Sequence, residues 1–120
     1  MTWLMIALGA AVGAPGRYLV DTAVTARFGS RLPWGTLLVN VVGSAALGVL
    51  AGRMLASDPP PGFVALVGTG FCGAFTTAST FAWEALALAG TGRPRAALAY
   101  VGLTLWLTLT AAGIGLTLAR

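Results

Sequence analysis

This 120-residue chain has no histidine, one cysteine and three acidic residues, and its charged residues amount to 8% of the total. Without imidazole, histidine-based acid–base catalysis and imidazole metal ligation are excluded. Cys72 stands alone, so no intrachain disulfide forms and the redox compartment is not encoded. Among so few polar groups no acid–base pair or nucleophile constellation appears, and the sequence does not describe an enzyme. A net charge of +4 and an isoelectric point near 10.7 would suit a nucleic-acid partner. The basic residues are, however, scattered arginines with no basic cluster and no groove-reading motif, which excludes that class.

What the chain does have is apolar length. With 58% hydrophobic residues and a mean hydropathy of +0.89, it has too little polar surface to cover itself in water. Charge-free runs extend over Met1–Gly16, Leu32–Gly52, Pro59–Trp83 and Ala96–Ala119. A spanning helix needs roughly 20 apolar residues, which the last three runs supply. The first resumes past Arg17 and Asp21 to Ala26, and spans if those charges sit near its far end. The sequence therefore predicts an all-α membrane protein, one domain over residues 1–120, with spans near 2–26, 33–54, 62–89 and 95–118. Met1–Ala14 lacks the basic start of a signal peptide and is read as part of the mature first helix.

Polar and small residues fall on defined helix faces. Thr36, Asn40, Ser44, Gly48 and Gly52 recur every four residues, forming one stripe that lipid should not cover. Ser44, Gly48 and Gly52 fit the small-xxx-small pattern of close helix approach. Asn40 offers donors and an acceptor in hydrocarbon, as interhelical glue or as a ligand donor. The first span repeats the device with Gly9, Gly13, Arg17, Asp21 and Thr25, where Arg17 and Asp21, four apart, can pair or snorkel. On the fourth, Tyr100, Thr104 and Thr108 make a hydroxyl ladder, although membrane threonines often bond only their own backbone.

The stretch GFCGAFTTASTF, Gly70–Phe81, sits where an uninterrupted third span would run. Gly70 and Gly73 loosen a helix, and Thr76, Thr77, Ser79 and Thr80 offer hydroxyls to freed backbone groups. A helix breaks at membrane depth only where the break is buried or wet, and its freed carbonyls suit a small hard cation. Phenylalanine rings turn a positive edge toward an anion. Hydroxyls, an amide and ring edges together suit a small anion.

Three segments, GAAVGAPGRY (Gly9–Tyr18), GTLLVNVVGS (Gly35–Ser44) and GFCGAFTTASTFAWE (Gly70–Glu84), carry a resemblance to the Fluc fluoride channels, also called CrcB proteins, that extends along nearly the whole chain. The resemblance implies a fluoride channel of the bacterial plasma membrane, built as an antiparallel dual-topology dimer. Its third helix would be broken near the middle, with fluoride pathways at the subunit interface and a structural sodium ion at the centre. It implies that Gly73 and Thr76 hold the sodium through backbone carbonyls and that Asn40 donates to fluoride. Phe81, Ser79 and Thr80 match the family's TTFSTF motif, and Tyr100, Thr104 and Thr108 fall where the family has a polar track. Arg17, Asp21 and Glu84 stand as structural charges, the first and last matching family positions. Ala78 departs from the family's phenylalanine and offers no ring edge. The pathway tolerates the gap, a partner subunit supplies the ring, or the subunit conducts only in part.

Passive export would follow from weak-acid trapping: HF enters, dissociates in a less acidic cytoplasm, and the anion leaves through the channel. Two alternatives accompany this reading. A small dual-topology multidrug exporter would need a first-helix carboxylate to couple protons, and only Asp21 is available. A non-conducting partner of a heterodimeric channel would fit Ala78. Arg27, Arg31, Arg93 and Arg95 lie toward one side of the membrane, and Arg53 and Arg120 toward the other. So small a bias predicts insertion both ways and an antiparallel homodimer, with a paralogous partner as the alternative.

Overall fold

The computed structural model describes all 120 residues as helices and short turns, with no strands. Four helical stretches are long and apolar enough to cross a membrane. The first is α1 (Thr2–Phe28) and the second α2 (Trp34–Ala56). The third, Pro61–Gly90, is assembled from α3 (Pro61–Val64), a π segment (Ala65–Cys72), α4 (Gly73–Phe75) and α5 (Ala78–Gly90). The fourth is α6 (Pro94–Ala119). The longest dimension, 49 Å, matches a bilayer with its headgroup layers, about 40–45 Å.

The turns explain where the helices stop. Gly29 takes φ +79° beyond the end of α1, and its N–H donates to the Thr25 carbonyl. That left-handed backbone is easily reached only without a Cβ. Gly92 likewise takes a positive φ, +78°, after α5. Pro61 and Pro94 open α3 and α6, at the positions where a missing N–H costs a helix nothing.

Two close-packed pairs build the subunit, α1 against the π segment and α2 against α6. In both, glycine removes the side chain at the contact. A Cβ on Gly48 would run into the Ala112 backbone, and one on Gly115 would meet the Ala45 carbonyl and the Val49 N–H. Gly9 and Gly13 stand in the same way against the Leu66, Gly70 and Phe71 backbone. Lipid tails are as apolar as leucine, so such contacts hold membrane helices together by dispersion and not by expelling water.

The stripe on α2 drifts around the helix and serves two neighbours. Thr36 and Asn40 face α5 and its approach, while Gly48 and Gly52 face α6. Most large apolar side chains point outward: Trp83 is 72% exposed, Leu98 75% and Leu109 72%.

α1 ends two residues beyond the expected span of 2–26. Because Thr22–Phe28 remain helical, Arg17 lies eleven residues before the end of α1, about 16 Å inside it at 1.5 Å per residue. Neither Arg17 nor Asp21 is a terminal charge.

Candidate functional site

The site is organised around two residues of the third span that leave helical geometry. Thr76 has φ −79°, ψ 161° and Thr77 has φ −151°, ψ 123°, both extended. Gly70 and Gly73, the residues expected to loosen the chain, are themselves helical: Gly73 has φ −62°, ψ −35°. Gly70 is instead a close-approach residue, with Gly9 Cα and the Ile6 carbonyl beside it. Threonine rather than glycine occupies the extended positions because β-branched residues accept that backbone readily.

Asn40 holds this segment from α2. Its Oδ1 accepts the Thr77 N–H at 2.8 Å, and its Nδ2 donates to the Thr77 carbonyl at 3.0 Å. The side-chain amide thus pairs with one extended residue as a neighbouring strand would. Thr77 N–H is the group that would continue the helix onto the Gly73 carbonyl, so spending it on Asn40 leaves that carbonyl without its helical donor. The second N–H of Asn40 Nδ2 has no partner among the hydrogen bonds of the chain. Gly73 itself is exposed.

Thr77 also restarts the helix. Its Oγ1 accepts the Thr80 N–H at 3.2 Å, making it the N-cap of α5. The same hydroxyl donates to Thr80 Oγ1 at 3.1 Å and lies 3.5 Å from Ser79 Oγ. Thr76 Oγ1 bonds back to the Cys72 carbonyl at 2.8 Å. Ala78, Ser79 and Thr80 form the exposed first turn of α5. The spacing of Thr77 and Thr80 is that of an N-cap and the N3 residue whose N–H it receives; this signal was available in the sequence, as Thr77's dual role with Asn40 was not.

A second cluster joins α2, α5 and α6. The Glu84 carboxylate accepts Thr36 Oγ1 at 2.9 Å on one oxygen and the Tyr100 hydroxyl at 3.0 Å on the other. Phe81 lies against Tyr100, ring centroids 5.3 Å apart and tilted by 50°. A carboxylate at this depth is costly unless satisfied, and two hydroxyls from different helices provide for it. Thr36, read from sequence only as part of a stripe, is therefore a direct partner of Glu84.

The α6 ladder divides into unlike rungs. Thr108 bonds back to the Thr104 carbonyl at 2.7 Å, the ordinary habit of a membrane threonine. Thr104 Oγ1 is fully buried with no hydrogen-bond partner. No hydrogen bond joins Asn40 to these threonines.

Arg17 does not pair with Asp21. Its Nη1 donates to the Thr76 carbonyl at 3.4 Å. Asp21 packs on the Gly35 backbone, where a Cβ would strike it. Asp21 and Glu84 line a cleft of about 360 Å³ whose other walls include Arg31 and Arg93. Arg93 Nη1 donates to the Arg31 carbonyl at 2.6 Å, tying the loop after α5 to the loop after α1.

The donor chemistry at the helix interruption suits a hard monovalent cation: Gly73 and Thr76 present neutral carbonyl oxygens, the first without its helical donor. Along α5 and α6 the groups are hydroxyls and an aromatic ring, with the Glu84 carboxylate held by Thr36 and Tyr100.

Residues 4–116 match the family model described as CrcB-like protein, Camphor Resistance (CrcB). A relative in Frankia casuarinae named fluoride-specific ion channel FluC 1 is 46% identical over 125 residues, covering 100% of this chain and 97% of its own length. The FluC 1 of Streptomyces avermitilis is 48% identical over 92 residues, 77% of this chain and 74% of the relative. The FluC of Alteromonas mediterranea is 52% identical over 89 residues, 72% of this chain and 68% of the relative. Four helices able to cross a bilayer, in a chain with channel relatives, make this a multi-pass membrane protein. A family match that takes in all four of those helices establishes that the chain belongs to the CrcB family.

Proposed function

We propose that the chain is the pore-forming subunit of a fluoride channel, exporting the anion by passive electrodiffusion, and that it acts as an antiparallel dimer. The observation that carries this reading is the kinship with channels named fluoride-specific, and Thr104 is the residue that tests it. A buried hydroxyl without a partner costs about 1–3 kcal/mol in a folded protein, and a passing anion is the acceptor that would relieve it. Tyr100 and Thr108 flank it on α6, and Phe81 turns a ring toward the same track. Fluoride is strongly hydrated, so several modest donors must replace its water while binding weakly enough for release. Asn40, Ser79, Thr80 and Thr104 are such donors, all uncharged, and Thr108 would join them by turning its hydroxyl away from the Thr104 carbonyl. Homology to channels named fluoride-specific supplies the ion, and it does not favour a multidrug exporter.

Sodium belongs to the same proposal. The Gly73 and Thr76 carbonyls would hold it, and the fit rests on the helical donor that Asn40 removes from Gly73. A bound cation would satisfy the freed oxygens and fix the interruption in place. Two carbonyls from one chain under-coordinate such an ion, so a second subunit would supply the rest.

Fluoride efflux from liposomes, read with a fluoride electrode, tests the channel. Thr104→Val separates pathway from packing because the two side chains are nearly isosteric. A merely structural orphan hydroxyl predicts a variant as stable as the parent or about 1 kcal/mol more so, with flux unchanged. The pathway reading predicts the same stability with flux reduced about tenfold. Failure of the parent protein to pass fluoride would remove the function itself.

A second reading, a subunit needing a paralogous partner, is favoured by one observation: the first turn of α5 is exposed and carries Ala78 where a ring would lie. Ala78→Phe is expected to keep or raise flux in the homodimer. Blocked flux would mean that the alanine makes room for the ion, and flux only with a co-reconstituted paralogue would establish the heterodimer.

A further inference from the structure

The guanidinium of Arg17 has a single hydrogen bond and no ion pair. It is half-buried near the middle of α1 and carries a charge that it cannot lose. At that depth an ionised group needs a partner, and an unexplained one marks a functional position. Its hydrogen bond goes to a neutral carbonyl, Thr76 O, at 3.4 Å. That is longer than the 2.7–3.2 Å of a well-made N–H···O bond, and so is easily given up.

The acceptor is one of the two carbonyls assigned above to sodium. Two cations on one carbonyl oxygen repel strongly in a medium of low dielectric, because their repulsion is screened far less than in water. Arg17 has somewhere else to go. Asp21 lies four residues on, the spacing at which two helical side chains meet. Both side chains line one niche of about 200 Å³, together with Tyr18, Thr36, Thr77 and Thr80. The space for a swing of the side chain is therefore already present.

We propose that Arg17 is an exchangeable cation: it caps the Thr76 carbonyl in the sodium-free protein and moves to Asp21 when sodium takes that oxygen. The exchange rests on the sodium site proposed above and adds to it a built-in competitor and a seat for the displaced competitor. It keeps the extended segment supplied with positive charge in both states, so the interruption does not collapse when sodium leaves.

The consequence is a pair of opposite effects. Arg17→Gln keeps an N–H donor but removes the competing charge, and is expected to tighten sodium binding at least tenfold. Asp21→Asn removes the seat, leaves Arg17 on Thr76, and is expected to weaken sodium about tenfold. The double variant decides between exchange and simple attraction of sodium by the Asp21 charge. If exchange operates, Asp21 no longer matters once Arg17 is gone, and the double variant binds sodium as Arg17→Gln does. If attraction operates, the two effects add.

The measurement is calorimetric titration of sodium chloride into the detergent-purified protein in a background of a large organic cation. Thermal melting with and without sodium serves as a second readout. A parent protein that shows neither heat nor a melting shift removes the sodium site and the exchange with it. A parent that binds sodium, with unchanged or weaker binding in Arg17→Gln or with additive effects in the double variant, overturns the exchange alone. Should Arg17→Gln not fold, Arg17→Met, uncharged and of similar reach, replaces it alone and in combination with Asp21→Asn, with the same outcomes deciding.

Discussion

Asn40→Asp is expected to cut fluoride flux roughly a thousandfold, at a cost in stability as well. The amide gives one N–H to the Thr77 carbonyl and accepts the Thr77 N–H; aspartate keeps the acceptor and loses both amide donors. A neutral buried bond left unmade costs about 1–3 kcal/mol, and a carboxylate oxygen set against the Thr77 carbonyl costs more because it is charged. The repulsion of an anion about 4 Å away adds about 4 kcal/mol at an effective dielectric constant near 20, and it falls on flux alone. Size-exclusion chromatography should therefore recover a folded protein, somewhat less stable to heat, while liposome efflux is lost. Native flux in this variant would take Asn40 out of the ion path and leave it as the clamp on Thr77 alone.

Gly9→Val is expected to abolish both the folded state and the activity. The site for a Cβ on Gly9 is filled by backbone: the Leu66 carbonyl, Phe71 N at 2.7 Å and Gly70 Cα at 3.0 Å. None of these can rotate away as a side-chain tip could, so α1 must separate from the π segment. Ordinary overpacking costs about 1–3 kcal/mol; an obstruction made of main chain lies at the upper end or beyond. The π segment leads through α4 into Thr76 and Thr77, so its displacement carries the Asn40 clamp and the Arg17 contact with it. Gly113→Ala is the control, since a Cβ there meets nothing within 4 Å. It should leave flux unchanged and the melting temperature equal or slightly higher, since alanine favours a helix over glycine by about 0.5–1 kcal/mol. A folded, active Gly9→Val protein would show that α1 is not held by this contact.

Much of this molecule is set by composition and spacing. Four runs free of charge, a polar remainder too small to cover a soluble body, and glycines every four residues dictate membrane helices and the faces on which they meet. These are local properties: hydropathy and helical period act on each segment alone. The same locality explains why Thr104, Thr108 and Tyr100 could be placed on one face of α6 but not told apart. Their spacing is identical, and only their neighbours distinguish a back-bonded hydroxyl from an orphan or from a donor to Glu84.

The helix interruption lies on the other side of that division. Gly70 and Gly73 carry the local signal for loosening, yet both stay helical, and the close approach of α1 uses Gly70 as a packing surface. The extended residues are Thr76 and Thr77, since an asparagine 37 positions earlier in the chain takes the Thr77 N–H that would have continued the helix. Arg17 likewise reaches across 59 positions to Thr76 instead of four to Asp21. Helical spacing made the nearer partner available, and the packing of α1 against the third span brought a carbonyl within reach. A backbone donor or a charge goes to whichever acceptor the folded arrangement sets nearest, and that choice exists only once the helices are packed.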